Sequence, residues 1–108
     1  MRKTVWLSYD LSVKGDYEGL YKWLDNVGAS ECGDSLAYFK IDTPDGMDVP
    51  DFVADSLRAD VKFGKSDRVY LIWRNDQEGL NKGRFIIGNR KASPWKGYGD
   101  QAPTQDDQ

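Results

Sequence analysis

The chain has 108 residues, a formal charge of -3 and a pI near 4.8, which fits one domain whose body is not a basic nucleic-acid clamp. It contains no histidine, which excludes Ser-His-Asp catalysis and ordinary zinc sites. Its single cysteine, Cys32, excludes an internal disulfide and has no imidazole to activate it.

Val5-Trp6-Leu7-Ser8-Tyr9 reads as a strand with Val5, Leu7 and Tyr9 on one face and Trp6, Ser8 and Asp10 on the other. After a loop at Ser12–Gly15, Asp16 is a good N-cap, and Tyr17, Leu20, Tyr21, Leu24 and Val27 form an apolar stripe at helical period. Gly19 weakens this helix slightly, and Gly28 stands where a C′ glycine belongs. Ala29–Cys32 suggests a short strand, and Ser35–Ile41 a clearer one after a turn at Gly33-Asp34. Asp48 and Pro50 mark the start of a second helix, whose stripe is Phe52, Val53, Leu57 and Val61. Arg68–Arg74 is a further strand, with Val69, Leu71 and Trp73 opposite Tyr70 and Ile72. A polar loop, Asn75–Gly83, leads to a final strand at Arg84–Gly88. Periodicity is lost from Ser93 onward, and Gly99–Gln108 reads as a disordered tail.

This order predicts an α+β domain of ferredoxin-like type, β-α-β-β-α-β with an extra C-terminal strand, over residues 1–92. Residues 93–108 form a C-terminal segment, flexible at its end. Each helix has one apolar stripe, so both are expected on one face of an antiparallel sheet. The other face carries Trp6 and one side of two aromatic-rich strands and is covered by nothing in the chain, which points to a homodimer. No apolar run is long enough to span a membrane and no signal-type segment follows Arg2-Lys3, so a cytoplasmic protein without membrane contact is expected.

Asp10 is the leading candidate for chemistry. It projects to the uncovered face, where two copies in a symmetric dimer would approach each other and attract Mg²⁺, a cation that takes oxygen ligands and activates water for phosphodiester cleavage. The competing reading is a carboxylate that accepts hydrogen bonds from the following turn. Ser8 and Ser35 are candidates for positioning water or phosphate. Asp42, Asp45, Asp48 and Asp51 lack the spacing of a calcium loop and read as turn and cap residues. Gly79, Gly83 and Gly88 do not form a phosphate-binding motif. The acid-free stretch with Arg84, Arg90, Lys91 and Lys96 is a candidate nucleic-acid contact, weighed against a solvated strand face. Trp95 and Tyr98 either stack on bases or, the favoured reading, anchor the C-terminal segment on a neighbouring subunit.

The run Val5-Trp6-Leu7-Ser8-Tyr9-Asp10, a Tyr/Leu-rich helix ending at Gly28, and Gly33-Asp34-Ser35-Leu36-Ala37-Tyr38-Phe39 together resemble the small CRISPR-associated adaptation-subunit endonuclease family and its SinR-like stand-alone relatives. The resemblance covers residues 3–74. It implies a ferredoxin-like homodimer with a metal between two strand-end aspartates, and either metal-dependent nuclease activity or a structural role in holding DNA. Asp10 alone carries over as a catalytic or metal residue. Where the family usually has basic residues before its second strand, this chain has Ser30-Glu31-Cys32, and Glu31 repels a phosphate backbone.

Two functions are therefore expected. One is a Mg²⁺-dependent nuclease acting on RNA or DNA as a homodimer, with Asp10 from each copy at the metal. The other is a non-catalytic homodimeric scaffold or binding module of the same fold.

Overall fold

The computed structural model describes residues 2–90 and 92–100. The elements are β1 (Arg2–Asp10), α1 (Tyr17–Asn26), β2 (Ser30–Gly33), β3 (Leu36–Asp42), α2 (Val49–Asp60), β4 (Arg68–Asn75) and β5 (Leu80–Ile87). The strands form one antiparallel sheet in the order β2-β3-β1-β4-β5. This α+β arrangement is compatible with a ferredoxin-like fold; β5 extends the sheet beyond that pattern by pairing outside β4. No helix among the described residues is long and apolar enough to cross a membrane.

Strand β1 lies between β3 and β4, so its side chains can point only to one sheet face or the other. Val5 stands opposite Phe39 and Trp73, and Leu7 opposite Ala37 and Leu71. These residues, with Tyr9 and Val69, form the sheet's side of the core, and all but the partly buried Trp73 are buried. Leu20, Trp23 and Leu24 of α1 and Val53 and Leu57 of α2 supply the opposing layer.

The stripe of α1 differs from the sequence expectation at two positions. Trp23 is in the core, edge-on to Phe39 at 5.4 Å, while Tyr21 is largely exposed beside Tyr17. Trp23 tolerates burial because its indole Nε1 donates to Ser56 Oγ on α2 at 3.0 Å. In α2 it is Val49, Pro50, Val53 and Leu57 that are buried, with Phe52 at the margin.

Two carboxylates fasten the ends of elements. Asp16 Oδ1 accepts from Gly19 N at 2.9 Å and Oδ2 from Lys62 N at 3.0 Å, which ties the start of α1 to the segment leaving α2. A Cβ at residue 19 would collide with this carboxylate, so the glycine that lowers helix propensity makes room for the cap. Asp48 caps α2 by its extended backbone alone, with no side-chain bond. Asp67 is the buried fastener: its carboxylate accepts from Ser12 N at 2.7 Å and Gly64 N at 2.6 Å, joining the loop after β1 to the turn before β4.

The last strand starts at Leu80 rather than Arg84. Asn75 Oδ1 accepts from Glu78 N at 3.0 Å and Gly79 takes a positive φ of 67°, which closes a hairpin that pairs Asn75 with Leu80. Asn81, Lys82 and Gly83 belong to this edge strand, whose exposure permits a polar sequence without apolar alternation. Near its end the register shifts, so Val69 pairs with Ile87 and Tyr70 with Phe85. The extra residue, Ile86, lets both Ile86 and Ile87 enter the core.

Burial pushes the Asp67 carboxyl up, but the backbone N–H groups of Gly64 and Ser12 outweigh it and hold the pKa below the ordinary 3.8. Its stabilising effect is thus complete above the unfolded-state value and is lost as pH falls through the lower folded value. Asp67→Asn should cost about 1.5–3 kcal/mol at neutral pH. Urea titrations should show a shallower loss of stability for this variant than for wild type on acidification below about pH 4.

Candidate functional site on the open sheet face

The face of the sheet away from the helices is built by the alternate residues of each strand. One row across it reads Tyr38, Trp6, Ile72 and Gly83, and the next Leu36, Ser8, Tyr70 and Phe85. Tyr38 is 42% and Ile72 38% exposed, and Trp6, Leu36, Tyr70 and Phe85 are half-buried. Tyr70 meets Phe85 edge-on at 4.9 Å. The Tyr70 ring also lies across Gly83, where a Cβ would come within 2.7 Å of it. The result is a largely apolar and aromatic surface, interrupted at Ser8, over the three strands β3, β1 and β4 and the inner part of β5.

Asp10 ends this face, directly opposite Arg68 in the β1–β4 register. The Arg68 guanidinium donates to Asp10 Oδ2 and also stands 6.0 Å over the Phe85 ring. A single chain therefore supplies one carboxylate here, and it is engaged by a cation. Among the described residues no three Asp, Glu, Cys or His side chains gather to hold a metal ion. One copy alone does not present a fitting donor set for Mg²⁺ at Asp10.

Ser8 lies on the same face between the positions of Leu36 and Tyr70. Ser35 precedes β3 with a positive φ of 56°, and its carbonyl accepts from Tyr9 N at 3.0 Å, placing it beside the Asp10 end of β1. The tight link from β2 to β3 forces this left-handed backbone on a residue with a side chain.

The basic stretch does not form one surface. Arg84 projects to the helix side of β5 and pairs with Asp51 at 2.8 Å. Arg90 lies beyond the strand and Lys96 in the C-terminal segment, both exposed; Lys91 lies outside the described residues. The tail expected at 99–108 also falls outside them from residue 101 onward. Asp42 pairs with Arg2 at 3.5 Å, and Cys32 is an exposed free thiol.

The contribution of Phe85 and the pairing of Arg68 with Asp10 escaped the sequence reading. The first depends on the β4–β5 register and its shift, which set Phe85 opposite Tyr70. The second depends on the β1–β4 register, which pairs residues far apart in the chain.

No protein-family profile, no curated protein and no solved structure matches this chain.

The Asp10–Arg68 pair is partly solvated, so its removal should cost at most about 1 kcal/mol. Asp10→Asn should therefore retain the wild-type circular dichroism spectrum and unfold in urea close to wild type. A much larger loss would mean that Asp10 serves the fold and is unsuitable as a probe of chemistry.

Proposed function

We propose that the protein is a non-catalytic homodimeric binding module that joins a second copy through its open sheet face. The carrying observation is the surface of Trp6, Leu36, Tyr38, Tyr70, Ile72 and Phe85, which the chain's own helices leave uncovered. Two such faces stack at about 10 Å with interdigitated side chains, and the gain is the removal of aromatic and aliphatic area from water. A sheet is a stiff platform, so little conformational entropy is lost in presenting these rings. The resemblance of residues 3–74 to the adaptation-subunit and SinR-like proteins supports the same assembly.

A second reading, the Mg²⁺-dependent nuclease, is favoured by the position of Asp10 on this same face. Stacking about a two-fold axis near that end would bring two copies of Asp10 together. It also places the metal beside the Arg68 guanidinium, which already engages Oδ2 of each carboxylate, whereas the first reading leaves that pair untouched.

Sedimentation equilibrium should give the mass of two chains at micromolar concentration. Replacing Tyr38 and Ile72 together by Glu should shift the protein to monomer by at least tenfold in Kd, because each charge would lose water in the contact. A wild-type monomer throughout this range would refute the proposal. With Mg²⁺ and mixed RNA and DNA, wild type and Asp10→Asn should give the same background; cleavage that depends on Asp10 would establish the second reading instead.

A further inference from the structure

The open face carries its charge unevenly along the strands. Beyond the row of Tyr38, Trp6, Ile72 and Gly83, period two sets Lys40, Thr4, Arg74 and Asn81 on the same face. Lys40 and Arg74 are exposed, and neither makes an ion pair among the described residues. Arg74 lies near Asp76, but that carboxylate is engaged by Lys3. In the last row at this end, Arg2 and Asp42 balance each other at 3.5 Å. The opposite end lies beyond the row of Leu36, Ser8, Tyr70 and Phe85. There Asp10 and Arg68 balance each other, and Asp34, in the turn from β2 to β3, is exposed and makes no ion pair among the described residues. The face is thus net positive at the Lys40 end and net negative at the Asp10 end, with the two aromatic rows between.

Two copies stacked on this face are related by a two-fold axis that runs either along β1 or across the strands. Both arrangements keep the strands aligned and cover both aromatic rows, so apolar burial does not choose between them. Charge does. β1 is the middle strand and lies over its own copy either way. With the axis along β1, each row meets itself and β3 lies over β4. Lys40 then stands over Arg74 of the partner subunit, and the unpaired cations of both copies gather where water is being removed. Like charges facing each other at a contact are strongly unfavourable. With the axis across the strands, between the Trp6 and Ser8 rows, each aromatic row meets the other one. The cationic row then meets the end that holds Asp10 and Asp34. Along β3, Lys40 and Asp34 are equally far from that axis, so Lys40 comes to the partner's Asp34.

We infer that the second copy stacks with its β1 antiparallel to the first, about an axis crossing the strands between Trp6 and Ser8, with Lys40 at the partner's Asp34. The inference rests on the homodimer reading and fixes how the copies meet. It also keeps the two Asp10 carboxylates about 20 Å apart, since each lies three residues from the axis at about 3.3 Å per residue.

Sedimentation equilibrium of full-length variants tests it. Lys40→Glu should weaken the dimer several-fold in Kd, because the new carboxylate faces Asp34. Adding Asp34→Lys to the same chain should recover much of that loss, because the two signs are exchanged together. With the axis along β1 the first change has the opposite sign: Lys40→Glu relieves the repulsion by Arg74 and tightens the dimer. Nitroxide labels at Thr4→Cys in a Cys32→Ser chain give a second readout by dipolar electron resonance. They should lie about 20 Å apart, against about 10 Å, the spacing of stacked sheets, for the axis along β1. An unchanged or tightened Kd for Lys40→Glu, or the short label distance, overturns the inference while a dimeric wild type keeps the homodimer reading. A wild type that stays monomeric removes both together.

Discussion

Strand β1 is hydrogen-bonded on both edges, and the rest of the molecule follows from that position. A strand paired on both sides can direct its side chains only above or below the sheet, alternately. Val5, Leu7 and Tyr9 go to the helices and become the centre of the core. Trp6, Ser8 and Asp10 must then go to the other side, where the described residues form no further layer. The same division passes through the register to β3 and β4. Tyr38, Tyr70 and Ile72 join Trp6, while Phe39, Val69 and Leu71 join Val5 and Leu7.

Two acidic residues hold joints of this frame. Asp16 holds the start of α1 to the exit of α2, and Asp67 holds the loop after β1 to the turn before β4. The backbone N–H groups of Lys62 and Gly19 draw the Asp16 carboxyl below its ordinary range. The Lys3 ammonium does the same to Asp76 across the sheet end. A carboxylate can satisfy two backbone donors at once, and so suits places where regular pairing stops. Asp10 is tied to Arg68 in a similar way, but in the open, on the face that carries the aromatic surface.

The open face follows from the number and placement of the helices. Two helices pack on one side of the five-stranded sheet and none on the other. The described residues thus present one largely apolar sheet face and two exposed rings, Trp95 and Tyr98. The Asp10 carboxylate at the end of the open face is engaged by the Arg68 guanidinium.

Local pattern determined much of this by itself. The alternation of Val5–Tyr9, the helical spacing around Leu20 and Leu24, and the glycine at 28, whose φ is +72°, are short-range signals and led to the element order and to two apolar helix faces. The one-sided sheet and the outward placement of Asp10 followed from period two. What sequence alone left open depended on contacts between distant segments. Trp23 entered the core because Ser56 of the other helix satisfies its N–H, and β5 extended to Leu80 because β4 offers it a ladder. Asp10 acquired Arg68 only through strand register, and Asp67 became buried only when Ser12 and Gly64 came to it from two loops. A residue's partner across a sheet is set by the whole topology, so its charge environment became visible only in the folded chain.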